Sequence, residues 1–257
     1  MLFAQITDMH ITDETPSPFA GRCPIKQLHN IIQHLNHYSD PIDFVLLTGD
    51  CVHHGSEHNY DLLQKTLSAL KLPYFMIPGN HDDRTTMRKV FSNISEISED
   101  PHFIHYTIEK YPLRLIGIDS VCDGQIWGDL CDKRLAWLDK TLNADRRKPT
   151  LLFMHHPPIR SGLPILDDYG YPKQDLLADV LRNHPQVKHI LCGHFHRPIQ
   201  YLWHHISVSI VGSSVAQFPT EFNPIKKWSN EPPAFALHRW NNGLMTQFCS
   251  IPLTSSY

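Results

Sequence analysis

Five short stretches place carboxylates and imidazoles just after apolar runs: Asp8-Met9-His10, Gly49-Asp50, Gly79-Asn80-His81-Asp82, His155-His156-Pro157-Pro158 and Gly193-His194-Phe195-His196. Taking one ligand from each of Asp8, His10, Asp50, Asn80, His155, His194 and His196 gives seven oxygen and nitrogen donors. That is too many for one tetrahedral zinc ion, and two cations sharing a carboxylate would use them all. In Asp8-Met9-His10 and His194-Phe195-His196, residues two apart on an extended chain project to the same side, so both can reach one centre. Gly49, Gly79 and Gly193 are expected to let the backbone turn sharply and put the next side chain against the ions. A centre of this kind suits attack on phosphorus. Two ions about 3.5–4 Å apart hold a bridging hydroxide, lower its pKa from 15.7 towards about 7, and clamp the attacking and leaving oxygens of an in-line displacement.

The elements that must position these groups read as an α/β layered fold. Leu2 to Thr7 and Asp43 to Thr48 are short strand-like runs, separated by a helical stripe of Ile25, Leu28, Ile31, Ile32 and Leu35. A second stripe (Tyr60, Leu63, Leu67, Leu70), a strand over Tyr74 to Ile77 and a helix carrying Met87, Val90 and Phe91 continue the alternation. Phe103 to Ile108 and Leu113 to Ile118 read as paired strands, followed by a helix from about Asp132 to Leu142, a strand Thr150 to Met154, a helix Leu176 to Leu181 and a strand His189 to Cys192. Each motif therefore follows a strand, and in layered α/β folds the loops beyond the carboxyl ends of strands gather on one edge. From Ile199 onward the pattern turns strand-rich (Ile199 to Trp203, Ile206 to Val211, Ala234 to Trp240, Leu244 to Cys249) around a Pro- and Asn-containing stretch near 219–233. We expect one domain over 1–257, with the 199–250 portion all-β and completing a two-sheet sandwich.

Composition narrows the function classes. The 257 residues carry a net charge of −3 with 41% hydrophobic and 19% charged residues, the balance of a globular protein with no surplus charge for gripping a nucleic-acid polymer. No run approaches the roughly 20 apolar residues of a membrane helix, and the start MLFAQITDMH lacks a signal-peptide pattern, so the expected address is the cytoplasm, away from membranes. The six cysteines form no CxxC pair and read as reduced, mostly buried thiols.

In this order, the motifs resemble the calcineurin-like metallophosphoesterases, and more narrowly their class III cyclic-nucleotide phosphodiesterase and glycerophosphodiesterase branch. Ile118-Asp119-Ser120, Gly128-Asp129-Leu130 and Leu135-Ala136-Trp137-Leu138 resemble the segment that branch carries between its third and fourth metal motifs. The resemblance implies a four-layer αββα sandwich with mixed sheets and two divalent or trivalent transition-metal ions, Mn, Fe, Zn or Co. It places Asp8, His10, Asp50 and His196 on one ion and Asp50, Asn80, His155 and His194 on the other, with Asp50 as the bridge. It also gives His81 a catalytic role beside Asp50, contacting the substrate phosphate and protonating the leaving alkoxide. Many relatives carry aspartate three residues after the bridging aspartate; this chain has His53 there, which leaves Asp82 as the nearest carboxylate to orient His81. Related enzymes commonly form dimers or larger homo-oligomers through the C-terminal region.

The implied reaction is hydrolysis of a small phosphodiester, with 3′,5′-cyclic nucleotides as the first expectation and glycerophosphodiesters, or a broad range of diesters, as the alternative. A non-catalytic scaffold that binds partner proteins is the reading from another class; its mark would be lost ligands, and none is lost here. Substrate choice is expected in the loops Thr12 to Cys23, Arg160 to Tyr171 and Gly212 to Phe222, where Tyr169, Tyr171 or Phe218 could stack on a base and Arg160 could meet a phosphate, although an ordinary loop residue is the first reading of each. His156 divides evenly between a substrate contact and a loop-shaping role. His53, His54, His204 and His205 read as surface or hydrogen-bonded histidines, Asp13 and Asp119 as carboxylates of turns or behind the ligands, and Lys226-Lys227 as a solvated loop.

Overall fold

The computed structural model describes residues 1–98, 100–162, 164–220 and 227–252. In chain order the elements are β1 (Leu2–Ile6), α1 (Pro24–Asn36), β2 (Phe44–Thr48), α2 (Glu57–Leu67), β3 (Tyr74–Ile77), α3 (Arg84–Val90), a 3-10 turn (Ser95–Ser98), β4 (Tyr106–Ile108), β5 (Arg114–Ile118), α4 (Asp132–Ala144), β6 (Thr150–Met154), α5 (Pro164–Asp167), α6 (Gln174–Arg182), β7 (Val187–Cys192), β8 (Ile199–Trp203), β9 (Ile206–Ile210), β10 (Ala234–Trp240) and β11 (Leu244–Ser250). Two mixed sheets result, in the orders β11-β10-β1-β2-β3 and β4-β5-β6-β7-β9-β8. The strands that feed the motifs are parallel neighbours, β1 with β2, β2 with β3 and β6 with β7, so their carboxyl ends open on one edge. Antiparallel strands stand at the margins.

The layering follows from side-chain alternation. On β6, Leu151 and Phe153 join the core cluster shared with the first sheet, while Leu152 and Met154 belong to a second cluster with Leu135 and Leu138 of α4 and Leu177 and Leu181 of α6. Both faces are therefore buried, as a parallel sheet between layers requires. On the other side α1 buries Leu28, Ile31, Ile32 and Leu35 at helical spacing, each contributing roughly 1.5–3 kcal/mol of burial. The Ser56 hydroxyl caps α2 by accepting from the Asn59 N–H, and the Asp83 carboxylate caps α3 by accepting from the Thr86 N–H at 2.7 Å. The four-layer αββα sandwich implied by the family resemblance is the observed architecture.

The strand-rich end completes the two sheets: β8 and β9 extend the second, and β10 and β11 extend the first. Other expectations differ in detail. The first strand of the β4–β5 pair starts at Tyr106 rather than Phe103, because Ile104 is drawn off to donate its N–H to the Asp119 carboxylate at 3.0 Å. All six cysteines are free, yet only Cys51 and Cys192 are buried, the others lying partly or fully at the surface. Phe222 and Lys226, in the stretch near 219–233, lie outside the described residues. Among the described residues no helix is long and apolar enough to cross a membrane.

Polar groups link the two sheets beneath the motif edge. Gln5 on β1 donates to Thr48 Oγ1 at 2.8 Å and to the Cys192 carbonyl at 3.0 Å, and its own carbonyl oxygen accepts from His238 Nε2 at 3.1 Å. His238 also accepts at Nδ1 from the Thr246 hydroxyl at 3.0 Å and stacks on Phe3. Burial, helped by nearby His189, pushes the His238 imidazole down to about 3. Between its ordinary value near 6.5 and about 3, the unfolded chain binds a proton that the folded chain refuses. The associated stability is complete above pH 6.5 and is lost as pH falls, by about 2 kcal/mol at pH 5. Urea denaturation of wild type and His238→Phe at pH 7.5 and pH 5 checks this: the wild type should lose about 2 kcal/mol more than the variant, and equal losses would refute it.

Candidate metal centre

Strand ends deliver the side chains. β1, β2, β6 and β7 end at Ile6, Thr48, Met154 and Cys192, within two residues of Asp8, Asp50, His155 and His194, and β3 ends at Ile77 just before Asn80. The first loop is laced onto the second by Asp8 N–H to Gly49 O (3.1 Å) and His10 N–H to Asp50 O (2.9 Å). Asp8, His10, Asp50, His194 and His196 all have positive φ, between 43° and 72°. The two His-containing triplets are thus not extended as expected. Each outer residue sits in the left-handed region, which folds the chain tightly enough to bring both side chains to one centre. Such backbone strain costs of order 1–3 kcal/mol per residue and concentrates at functional sites.

The glycines serve mainly close approach. Gly49 has φ +88°, and a Cβ there would stand 2.5 Å from His155 Nδ1. Gly79 and Gly193 lack the positive φ; a Cβ would instead collide with Asp50 at Gly79 and with Thr7 and Asp8 at Gly193.

Six of the seven predicted donors, Asp8, His10, Asp50, His155, His194 and His196, converge. His196 Nε2 lies 3.0 Å from His10 Nε2 and 3.4 Å from Asp8 Oδ1; His10 Nε2 lies 3.6 Å from Asp50 Oδ2; His155 Nε2 lies 3.4 Å from Asp50 Oδ2 and 3.9 Å from Asp8 Oδ1. Ligand atoms of Asp8, His10 and His196 fall within 4.8 Å of one another, as do those of Asp8, Asp50 and His155, and those of His155, His156 and His194. Main-chain carbonyls aim three of the rings. His155 Nδ1 donates to Thr48 O at 2.9 Å, His196 Nδ1 to Ala216 O at 2.7 Å and His194 Nε2 to Tyr169 O at 2.7 Å. A carbonyl can only accept, so each bond fixes the tautomer and leaves the other nitrogen as a lone pair. The carboxylates are oriented too: Asp8 accepts from the His194 N–H at 3.0 Å, and Asp50 Oδ1 from the His81 N–H at 2.9 Å.

This donor set fits cations. Asn80 Oδ1 and His155 Nε2 are buried with no hydrogen-bond partner, and the facing Nε2 atoms of His10 and His196 need a proton or a cation between them. Burial opposes charge on His155, but Asp50 and Asp8 outweigh it and hold the ring up at about 9; the same carboxylates would favour a cation at Nε2. Burial likewise opposes ionisation of Asp50, and His155, His81 and His10 overcome it, holding the carboxyl well below its usual range.

His81 corrects one expectation. Its Nδ1 donates to the main-chain carbonyl of His53 at 2.8 Å, not to Asp82. Asp82 turns away and accepts from the N–H groups of Gly79 (2.8 Å), Cys51 (3.0 Å) and Val52 (3.3 Å) and from the Tyr60 hydroxyl (2.9 Å), fastening the third motif to the second. Burial and the Asp50 charge raise its pKa to about 6. His156 is settled by its bonds: Nε2 donates to Ile126 O at 3.0 Å and Nδ1 accepts from the Ser120 hydroxyl at 2.8 Å. Both nitrogens are used, which makes it a loop anchor. Asp119 holds Arg84 through two guanidinium bonds of 2.6 and 2.9 Å, Asp13 pairs with His58, and His204 and His205, both with positive φ, form the β8–β9 turn.

Sequence reasoning missed Phe19 and Trp228. Phe19 packs on His10 (ring centroids 5.3 Å), and Trp228, stacked on Phe218 at 5.0 Å, stands 5.5 Å from His196. No short motif marks either residue. Of the expected lining residues, Tyr171 is buried, Tyr169 contributes its carbonyl and Arg160 is exposed.

The layered fold and the convergent Asp and His side chains define the class. The chain belongs to the calcineurin-like phosphoesterase family, whose description matches residues 1–198. It is 34% identical, over 96% of its own length and 92% of the relative's, to a protein named probable glycerophosphodiester phosphodiesterase GpdQ from Arcobacter nitrofigilis. It is 30% identical to a probable cyclic nucleotide phosphodiesterase of Rhodopseudomonas palustris (92% and 87% covered), and 26% identical to the 3′,5′-cyclic adenosine monophosphate phosphodiesterase CpdA of Escherichia coli (83% and 76%). In fold it is similar to a dimetal phosphatase from Danio rerio, with a TM-score of 0.75 at 16% identity over 97% and 96% of the two chains.

Proposed function

We propose that the protein is a dinuclear metal-dependent phosphodiesterase of small phosphodiesters, with 3′,5′-cyclic nucleotides as its substrates. The single observation that carries this reading is the convergence of Asp8, His10, Asp50, His155 and His196, whose donor atoms lie 3.0–3.9 Å from their neighbours. In this reading Asp8, His10, Asp50 and His196 hold one ion, Asp50, Asn80, His155 and His194 hold the other, and Mn, Fe, Zn and Co all suit the mixed oxygen and nitrogen set. When bound, the ions supply Lewis acidity towards the phosphoryl oxygens and a nucleophile active near neutral pH. The protein's own part is orientation and proton handling. The carbonyls of Thr48, Tyr169 and Ala216 keep a lone pair of each ring on the centre. His81, with Nδ1 committed to His53 O, handles the leaving-group proton at Nε2.

The stacked Phe218 and Trp228 beside His196 support an aromatic base as part of the substrate. Glycerophosphodiesters form the second reading, favoured by the 34% identity to the Arcobacter protein. Hydrolysis of cyclic AMP and of glycerophosphocholine, each with Mn²⁺ after chelation and reconstitution, tests both. Faster cleavage of cyclic AMP is expected; preference for glycerophosphocholine would move the assignment to the second reading, and no hydrolysis of either after Mn²⁺, Zn²⁺, Co²⁺ or Fe²⁺ would favour a binding scaffold. The cytoplasm is the proposed compartment, in keeping with free thiols. Exposed Tyr201 and Leu202 on β8 and Met245 and Phe248 on β11 support a homo-oligomer, which light scattering at the mass of one chain would exclude.

A further inference from the structure

Outside the seven donors, a second set of ligand atoms gathers at the mouth of the site. Glu14 Oε1 and His54 Nε2 are 2.7 Å apart, and one ligand atom from each of Glu14, His53 and His54 falls within 4.8 Å of the others. His53 joins this group to the centre below: its ring stacks on His81 (5.2 Å, 17°) and meets the His10 ring edge-on at 5.6 Å. Its Nδ1 is buried without a hydrogen-bond partner, a desolvation cost that a bound group would offset. The Glu14–His54 pair is exposed, and an exposed ion pair by itself contributes little.

Two imidazoles and one carboxylate with open positions around them are the donor set of a reversible transition-metal site. We propose that Glu14, His53 and His54 form a third divalent-cation site, separate from the dinuclear centre, taking Zn²⁺ or a similar ion. A cation there ties the loop that follows the first motif, through Glu14, to the loop that follows β2. The Asp13–His58 pair, 3.0 Å apart, already draws the same two loops together.

The test is metal stoichiometry. Wild type, Glu14→Gln and His54→Ala are dialysed to equilibrium against buffered free Zn²⁺, and bound metal per chain is measured by mass spectrometry. Wild type should hold one equivalent more than either variant, and that last equivalent should leave first as free Zn²⁺ is lowered. Equal stoichiometry in all three proteins overturns the site, and loss in His54→Ala with retention in Glu14→Gln overturns the three-ligand set. Failure of the dinuclear centre would lower all three totals alike and leave the difference of one, so the two claims are judged separately. Both substituted side chains are exposed, and circular dichroism confirms that the variants fold.

Discussion

Asp50→Ala is expected to lower turnover of a small phosphodiester by about 10⁴-fold, roughly 5.5 kcal/mol of transition-state stabilisation, and to strip metal from the protein. Asp50 faces both halves of the proposed centre. Its Oδ2 lies 3.6 Å from His10 Nε2 on one side and 3.4 Å from His155 Nε2 on the other, while Oδ1 accepts from the His81 main chain. Removing the carboxylate deletes a donor from both proposed ion sites and also leaves the His81 N–H without its acceptor. Buried His10, His155 and His196 then face one another with one negative charge fewer to hold cations. Metal analysis and steady-state rates on the same preparation check the outcome. Two ions retained, with turnover within tenfold of wild type, would rule out a shared Asp50.

His81→Ala should leave metal content unchanged and lower hydrolysis of an alkyl diester by about 10²–10⁴-fold, the usual worth of a positioned acid–base group. None of the donors invoked for the ions comes from this ring. Its Nδ1 is committed to the His53 carbonyl at 2.8 Å, which leaves only Nε2 to handle a proton. The size of the effect should depend on the leaving group. A p-nitrophenolate departs without a proton, so bis(p-nitrophenyl) phosphate should suffer far less than the alkyl diester. An equal loss on both substrates would show that His81 acts on the phosphoryl group rather than on the departing oxygen. Because a main-chain carbonyl aims the ring, the aspartate that many relatives carry at position 53 is not needed for that purpose here.

The amino-acid sequence alone determined which residues could do chemistry and where the strands feeding them end. Strand, helix and polar loop differ in side-chain type and period, and Asp8, His10, Asp50, Asn80, His155, His194 and His196 are marked by their own chemistry. The tertiary structure decided how those residues are aimed. The acceptors that orient His81, His155, His194 and His196 are carbonyls of His53, Thr48, Tyr169 and Ala216, and a peptide carbonyl is the same group at every position, so no residue type announces it. The left-handed backbone at Asp8 and His10, the anchoring of His156 and the release of Asp82 to the Tyr60 hydroxyl were hidden for a related reason. Each depends on a partner distant along the chain, and only packing decides which partner arrives.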